Sequence, residues 1–253
     1  VTDHSDSLGY NATFEYPAEG GIETLVRALA GSLRNVHTAE TVERIDLASR
    51  TLVTSKGGSV GFDHLISTRP ITELVRSLAD APAYVYEAAD RLNCVSVLNV
   101  NIGVRGSVGD RHWVYVPEER FSFHRMGFPV NFSSSTAPSG HGSIYLEISY
   151  DQRTGIDRVR TARRCIRDLM AIGIIGREED VVACKVMDLP FAYVVYDRDR
   201  PAALSAIQSF LRGQGIYSVG RFGSWEYTSM EDAFMQGVAA ARDVCNGNTH
   251  NAS

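Results

Sequence analysis

Residues suited to binding an anion or a polarised oxygen gather near the end of the chain, just before a predicted helix. Arg221 and Tyr227 precede Ser229, a good helix N-cap, and Asp232 completes a capping-box-like S-x-x-D spacing. The first N–H groups of a helix have no intrahelical acceptor and carry the positive end of its dipole. We therefore expect the helix start at Ser229 to favour an anion or a carbonyl oxygen. A capped surface helix behind an exposed arginine is the alternative.

The residues before this helix, from Gly220 onward, are predicted to form a glycine-flanked strand. The helix itself is predicted to carry an apolar ridge at positions 234, 238 and 241 and a small-residue ridge at 233, 237 and 240. A ridge of small residues lets another backbone approach closely. The helix is therefore expected to pack by that side.

Composition places the chain among ordinary globular proteins. Its 253 residues suffice for two modest domains, and 44% hydrophobic and 22% charged residues are typical values. No apolar run approaches the ~18–20 residues that span a bilayer, so neither a membrane partner nor a signal peptide is predicted. The net charge of -5 argues against a nucleic-acid partner, which would favour a basic face.

The four cysteines, Cys94, Cys165, Cys184 and Cys245, are scattered, with no CxxC pair and no histidine at metal-ligand spacing. No metal site is predicted. A reduced protein, with a cytoplasmic location, is expected.

The first third of the chain begins with a polar segment and continues with segments of regular apolar spacing. The first twelve residues are polar and without period, so a connector is predicted there. Apolar residues at 22, 25, 26, 29 and 33 predict an amphipathic helix. Short β-branched segments between Gly-Gly and Asp turns follow, and a buried strand is predicted over 62–68.

The central region is predicted to contain helices followed by several strands. Residues 71–91 are predicted to be mostly helical, and the strand candidates at 94–106, 111–117, 123–132 and 142–150 suggest one antiparallel sheet. Helical spacing recurs at 159, 162, 166, 169 and 170. A strand over 181–196 and a helix over 201–215 then lead to the last segment.

Two charged stretches are interpreted as solvated surface. The run from Asp197 to Arg200 is predicted to be an exposed loop of little energetic weight. Arginines at 158, 160, 163, 164 and 167 are predicted to face solvent along a helix. The seven histidines are taken as structural or surface residues, because they form neither a metal-spaced set nor a triad signature.

The last segment resembles the C-terminal signature of FAD-dependent proteins in the amine oxidase, protoporphyrinogen oxidase and UDP-galactopyranose mutase superfamily. The resemblance extends over most of the chain, through the segment from Phe14 to Gly21, the strand around Val42 and residues 65–70. It implies that Ser229, Met230 and Glu231 face the flavin at the start of the last helix. It also implies that the backbone of Val42 meets the adenine of FAD.

A closer resemblance is to the eukaryotic-type UDP-galactopyranose mutases and their bacterial relatives, through the stretch from His112 to Ser133. It implies a nucleotide-sugar or other small-molecule substrate, with aromatic rings near the uracil and Arg and Tyr groups at the diphosphate. The implied substrate-binding residues are Trp113, Tyr115, Arg125, Tyr193, Arg221 and Tyr227. No catalytic residue is assigned.

This sequence departs from the mutase pattern at two positions. A tyrosine of the pattern is Phe132 here, which removes one hydroxyl donor to phosphate, and an asparagine before the last helix is Ser229.

The GxGxxG turn that binds a dinucleotide pyrophosphate does not occur in these residues. We therefore expect the C-terminal portion of a larger flavoprotein, with the N-terminal FAD-binding segment missing. Such a chain should bind FAD weakly or not at all.

The predicted fold class is α/β (α+β), a partial FAD-binding Rossmann-like domain plus an antiparallel-sheet substrate domain. The FAD-binding part is assigned to 1–75 and 212–253 and the substrate-binding domain to 76–211. The leading function is isomerisation of a nucleotide-sugar through reduced FAD. The alternatives are an oxidoreductase of the amine oxidase or protoporphyrinogen oxidase kind and a cofactor-free ligand-binding module.

Overall fold

The computed structural model describes residues 15–250, with side chains as far as residue 246. The predicted connector and Phe14 lie outside the described residues. Seven α-helices are found in this part of the chain: α1 Glu23–Gly31, α2 Ile71–Ser77, α3 Ala83–Asp90, α4 Arg158–Ala171, α5 Arg200–Gly213, α6 Gly220–Gly223 and α7 Met230–His250. Ten strands accompany them: β1 Val42–Asp46, β2 Thr51–Thr54, β3 Ser59–Gly61, β4 Leu65–Ser67, β5 Cys94–Arg105, β6 Trp113–Tyr115, β7 Arg125–Gly127, β8 His141–Tyr150, β9 Val181–Val194 and β10 Ile216–Ser218.

These helices and sheets confirm the predicted mixed α/β (α+β) class. The chain divides into two compact units, one of residues up to Val36 with Val97–Asp188, the other of His37–Ser96 with residues from Leu189 onward. The division differs from the predicted domain boundaries at 75/76 and 211/212. Helices α2, α3 and α5 share one hydrophobic core with β1 and β10, so they belong to the second unit. The assignment of each part to cofactor or substrate stays a prediction.

The first unit is built on a five-stranded sheet of order β6-β7-β8-β5-β9. Its strands β6, β7 and β8 pair antiparallel, as predicted. Along β5 every second side chain is buried, from Leu98 to Val104, because successive side chains point to opposite faces of a strand. The predicted strand over 123–132 is shorter than expected, since Pro129 opens a 3-10 turn two residues after β7 ends.

Helix α4 covers this sheet, and Asp157 caps it by accepting a hydrogen bond from the Arg160 amide. Of the predicted apolar positions, 162 and 169 are buried and 166 is half-buried, and Cys165 is buried beside them. Val159 and Met170 are exposed instead. The predicted arginine stripe on the remaining surface is confirmed, since all five arginines are exposed.

In the second unit, β1, β2 and β3 form an antiparallel meander, and β4 pairs in parallel with β10. The predicted buried strand over 62–68 is wrong in extent and burial. Only three of its residues form β4, and Ile66 is 41% exposed. Among the described strands, β10 is its one neighbour, so one edge of β4 has no strand partner there.

Helix α1 forms where the apolar period predicts it, but its apolar side is exposed. Leu25, Val26 and Leu29 have 46–60% of their surface in solvent, and no residue of α1 is buried. In the part of the chain that the structure describes, this stripe therefore adds no buried side chain to a hydrophobic core.

The predicted strand after Gly220 is wrong. Gly220 has φ +78° and starts the single helical turn α6, closed by a hydrogen bond from the Ser224 amide to the Gly220 carbonyl. Gly223 packs against the Ser67 carbonyl, where an added Cβ would lie 3.2 Å from that oxygen. These two glycines give the segment a compact turn instead of an extended path.

Helix α7 begins at Met230, directly after the predicted cap. It packs through Gln236, which accepts from the Gly220 amide and the Ser224 hydroxyl, and through Ala240, which is buried. Phe234 on the predicted apolar ridge is 57% exposed. Among the described residues, no helix is both long and apolar enough to cross a membrane.

Candidate functional site

The start of α7 has the capping-box geometry that the sequence predicts. The Ser229 hydroxyl oxygen accepts from the Asp232 amide at 3.1 Å, and the Asp232 carboxylate accepts from the Ser229 amide at 2.9 Å. The Ser229 hydroxyl also donates to the Asp232 carboxylate at 2.8 Å. The bonds from the Ser229 amide and hydroxyl lower the pKa of Asp232 below its usual value, the backbone bond most. The first intrahelical bond runs from the Ala233 amide to the Ser229 carbonyl. The Met230 and Glu231 amides precede it, in the first turn, where a helix leaves its N–H groups without an intrahelical acceptor.

This helix start suits a carbonyl oxygen better than a full anion. The negative charge of the Asp232 carboxylate already lies at the positive end of the helix dipole. Glu231 adds a second negative charge in the same turn. A neutral acceptor meets less repulsion there. The residues therefore fit the carbonyl-bearing edge of a flavin.

Val42 is the first residue of β1, opposite Thr54. Its carbonyl accepts a hydrogen bond from the Arg69 guanidinium at 2.9 Å. The Val42 carbonyl, one of the backbone groups that could meet the adenine, therefore already accepts a bond from Arg69. The contact between Val42 and adenine stays a prediction.

Arg221 lies among tyrosine rings in the second unit. Its guanidinium carbon is 4.3 Å from the centre of the Tyr227 ring and 5.7 Å from that of Tyr193. The two tyrosines stack on each other, with ring centres 6.3 Å apart and planes 20° from parallel. Three of the predicted substrate residues thus meet, and we call them the arginine-tyrosine cluster.

The guanidinium of Arg221 is fixed by carbonyl groups. It donates to the Ala192 carbonyl at 3.2 Å and to the Thr228 carbonyl at 3.4 Å. In the part of the chain that the structure describes, no carboxylate lies within ion-pair distance of it. Since a guanidinium has five N–H donors, donors and charge remain for a ligand.

The other predicted substrate residues lie on one face of the first unit's sheet. Strand register puts Tyr115 opposite Arg125 and Arg125 opposite Glu147. The next row pairs Trp113 with Gly127. We call this surface the sheet platform, and its members are Trp113, Tyr115, Arg125, Gly127, Tyr145 and Glu147.

Arg125 is held inside the platform by a carboxylate. It forms an ion pair with Glu147, whose side chain is 9% exposed, and the rings of Tyr115 and Tyr145 each lie 6.0 Å from the guanidinium carbon. His124 approaches the other carboxylate oxygen at 3.6 Å. Burial lowers the pKa of His124, Glu147 opposes that change and Arg125 adds to it. Arg125 is therefore charge-compensated, unlike Arg221.

Gly127 lies under the ring of Tyr145 and leaves space for it. A Cβ added there would come within 2.2 Å of the Tyr145 ring. Burial raises the pKa of Tyr145 above its usual value, the largest of several effects on it. The glycine thus leaves room for the Tyr145 ring, whose centre lies 6.0 Å from the Arg125 guanidinium carbon.

Phe132, the position where the mutase pattern has a tyrosine, joins an aromatic group. Its ring stacks on Trp113 with centres 6.1 Å apart and packs edge-on against His112 at 5.0 Å. Tyr16 approaches it from the segment before α1 at 5.4 Å. Phe132 thus lacks the hydroxyl of the tyrosine in the mutase pattern. It makes an apolar contact with Trp113, the residue predicted to lie near the base.

Sequence reasoning missed Glu147, Tyr145 and Gly127 on the platform. The period-2 pattern of β8 indicated that residues 145 and 147 share a face, but not which face or which neighbours. It also misjudged Arg200, whose side chain is 12% exposed and donates to the Trp225 carbonyl. Its buried partner lies 25 residues away, so no local signal existed.

The sequence model of the flavin-containing amine oxidoreductase family matches residues 2–245, and the chain belongs to that family. This family match indicates a flavin-dependent oxidoreductase-type fold.

Solved structures give the same fold. A crystal structure of reduced UDP-galactopyranose mutase is 28% identical, with a TM-score of 0.83 over 91% of this chain and 53% of that one. A protein from Exiguobacterium sp. assigned as a protoporphyrinogen oxidase is 16% identical, with a TM-score of 0.65 over 88% and 51%. The chain thus spans about half the length of the structures it matches.

Proposed function

We propose that this chain supplies the substrate-binding part of a FAD-dependent enzyme that acts on a nucleotide-sugar, resembling UDP-galactopyranose mutase. The observation that carries the proposal is the arginine-tyrosine cluster, in which Arg221 is braced by two carbonyls and two rings and faces no carboxylate among the described residues. A planar guanidinium with free donors is suited to a diphosphate. The 28% identity to the mutase structure supports the same choice.

In this proposal, the residues of the cluster and of the platform have different roles. Arg221 neutralises the charge that develops on the leaving diphosphate, where a fixed cation is most effective. Tyr193 and Tyr227 position that group by their hydroxyls and restrict its motion. On the platform, Trp113 and Tyr115 offer aromatic faces to a base. Arg125 acts there as an oriented hydrogen-bond donor, because Glu147 already balances its charge.

The cofactor of the proposed enzyme is FAD, which supplies the redox-active flavin ring when it is bound. Ser229, Met230 and Glu231 would face the carbonyl edge of that ring through the open amides of α7. The proposal includes weak or no retention of FAD by these 253 residues, since they hold no GxGxxG turn. A stoichiometric yellow complex of the purified chain would contradict that part.

Calorimetric titration of the chain with uridine, UMP and UDP tests the diphosphate assignment. We expect the affinity to rise in that order, since each phosphate adds charge for Arg221. Arg221→Ala should weaken UDP binding at least about tenfold, the loss of one charge-assisted contact. Arg91→Ala is the matched control, because Arg91 is an exposed arginine at the end of α3. Equal UDP affinity in both variants would overturn the assignment.

The second candidate is an oxidoreductase that acts on an amine or a related apolar substrate, and the family match favours it. Thermal shift measurements with UDP and with a benzylamine-type ligand discriminate the two. A shift with the amine alone would favour the oxidoreductase. Saturable nucleotide binding without any flavin-dependent turnover in the full-length protein would favour the third hypothesis, a cofactor-free binding module.

A further inference from the structure

We propose that Tyr196 is a positioning residue of the arginine-tyrosine cluster, through a hydrogen bond to the backbone of Tyr227. This inference rests on the proposed function, because it concerns how the diphosphate-binding residues are held. Tyr196 follows β9 and is 61% exposed, so core burial does not explain its place. Its hydroxyl oxygen accepts from the Tyr227 amide at 2.8 Å.

The ring of Tyr196 is itself held by Arg200. The guanidinium carbon of Arg200 lies 4.2 Å from the ring centre, a cation–π distance. The same guanidinium donates twice to the Trp225 carbonyl, at 3.0 Å through Nε and 2.7 Å through Nη2. Arg200 and Tyr196 thus fix the carbonyl of residue 225 and the amide of residue 227.

The backbone directly before the first of these bonds has a conformation that needs such support. Trp225 has φ +51°, in the left-handed region that a bulky residue rarely adopts. Its ring is fully buried and packs edge-on against Phe191. The buried ring and the two bonds together turn the chain so that Tyr227 emerges next to Arg221.

Tyr227 lies on the surface of the second unit. It is 62% exposed, and its ring contacts Tyr193 and Arg221 at the surface. The Glu226 amide donates to the Arg221 carbonyl at 2.9 Å, which closes the loop on the other side. Without the Tyr196 hydroxyl, the Tyr227 backbone would lose its direct support, and the stacked ring pair would be populated for less of the time.

Tyr196→Phe tests this role, since it removes only the hydroxyl and keeps a ring for Arg200. Tyr86→Phe is the matched control, because the Tyr86 hydroxyl also bonds a backbone group, the Leu78 carbonyl, at 2.9 Å elsewhere in the same unit. Three measurements are made on the whole 253-residue chain: amide hydrogen exchange of residues 221–229, the Kd for UDP, and Tm.

We expect faster exchange of the Tyr227 amide in Tyr196→Phe and UDP binding weaker by about three- to tenfold, the equivalent of one net hydrogen bond. Tm should stay within about 2 °C of the unsubstituted protein, because the bond is at the surface. Tyr86→Phe should leave both exchange in 221–229 and the UDP Kd unchanged. A stability loss without a specific change in the loop would mean a merely structural role.

The outcomes separate this inference from the proposed function. If Arg221→Ala weakens UDP binding and Tyr196→Phe does not, the inference is overturned and the proposed function stands. Weaker binding with unchanged exchange would overturn positioning and would assign the hydroxyl to the ligand instead. If the unsubstituted chain does not bind UDP, the proposed function fails, and exchange alone decides whether Tyr196 holds Tyr227.

Discussion

Arg125 and Glu147 face each other across β7 and β8 as a directly opposed cross-strand pair and form an ion pair there. The Glu147 side chain is 9% exposed and that of Arg125 is 24% exposed, so both charges are largely removed from water. Such a pair is sensitive to loss of one partner, because the remaining charge stays desolvated.

Glu147→Gln should therefore destabilise the chain by about 2–4 kcal/mol, measured as the free energy of unfolding in urea. The double change Glu147→Gln with Arg125→Met should recover most of that loss, since no unpaired charge is left. A purely additive double mutant would show that the two side chains do not interact energetically.

Gly127→Ala should displace the Tyr145 ring, because the added Cβ would lie within 2.2 Å of it. We expect a destabilisation of about 1–3 kcal/mol from overpacking. Adding Tyr145→Ala to Gly127→Ala removes the clash, so the glycine substitution should then have a much smaller effect. The same loss in both backgrounds would mean that the ring is not the obstacle.

Ser229→Ala should destabilise the start of α7 by about 1 kcal/mol, the usual effect of losing an N-cap hydroxyl. Helical content by circular dichroism and urea unfolding measure it. Ser229→Thr is the control that keeps a capping hydroxyl, which both accepts from the Asp232 amide and donates to its carboxylate, and it should unfold at nearly the original urea concentration. Failure of threonine to preserve stability would argue against the capping role.

Acid should weaken the fold through carboxylates whose folded pKa is depressed. Side-chain bonds from Arg153 lower the pKa of Asp151 from 3.8 to about 2. The ionised form is therefore favoured in the folded state, so the stabilisation is fully present above pH 3.8 and is lost as pH falls through about 2. NMR titration should place the Asp151 midpoint near 2, and Arg153→Ala should return it toward 3.8.

Cys165 should resist thiol reagents in the folded protein. It is fully buried, and burial raises its pKa to about 11. Cys184 and Cys245 are exposed. At pH 8, a disulfide reagent should modify Cys245 first, Cys184 more slowly because burial raises its pKa, and Cys165 only on unfolding, since the thiolate is the reactive form. Labelling of Cys165 at the rate of Cys245 would contradict the buried position.

Local patterns in the sequence predicted the elements whose causes are local. The period of β5 and the S-x-x-D spacing at Ser229 each act over a few residues, and both are confirmed. The prediction of a strand after Gly220 is wrong, because the chain turns at Gly220 with a positive φ although the following residues favour strands. Propensity is a weak guide where tertiary contacts decide the backbone.

The site could be predicted only in part, for a similar reason. Resemblance to a family supplied residues such as Arg221 and Tyr227, and the structure brings these two together. It could not supply Tyr196, which acts through a backbone amide 31 residues away. Cross-strand neighbours such as Glu147 depend on strand register, which a single sequence does not fix.

The solvent-facing apolar stripe of α1 has a practical consequence for handling the protein. A nine-residue helix is shorter than the ~12–15 residues that hold helical structure alone in water, and no buried side chain anchors this one. Opening of this segment should therefore require little free energy compared with the sheet. Arg27 lies in its middle, so brief trypsin treatment of the native chain should cut there first and leave the five-stranded sheet intact.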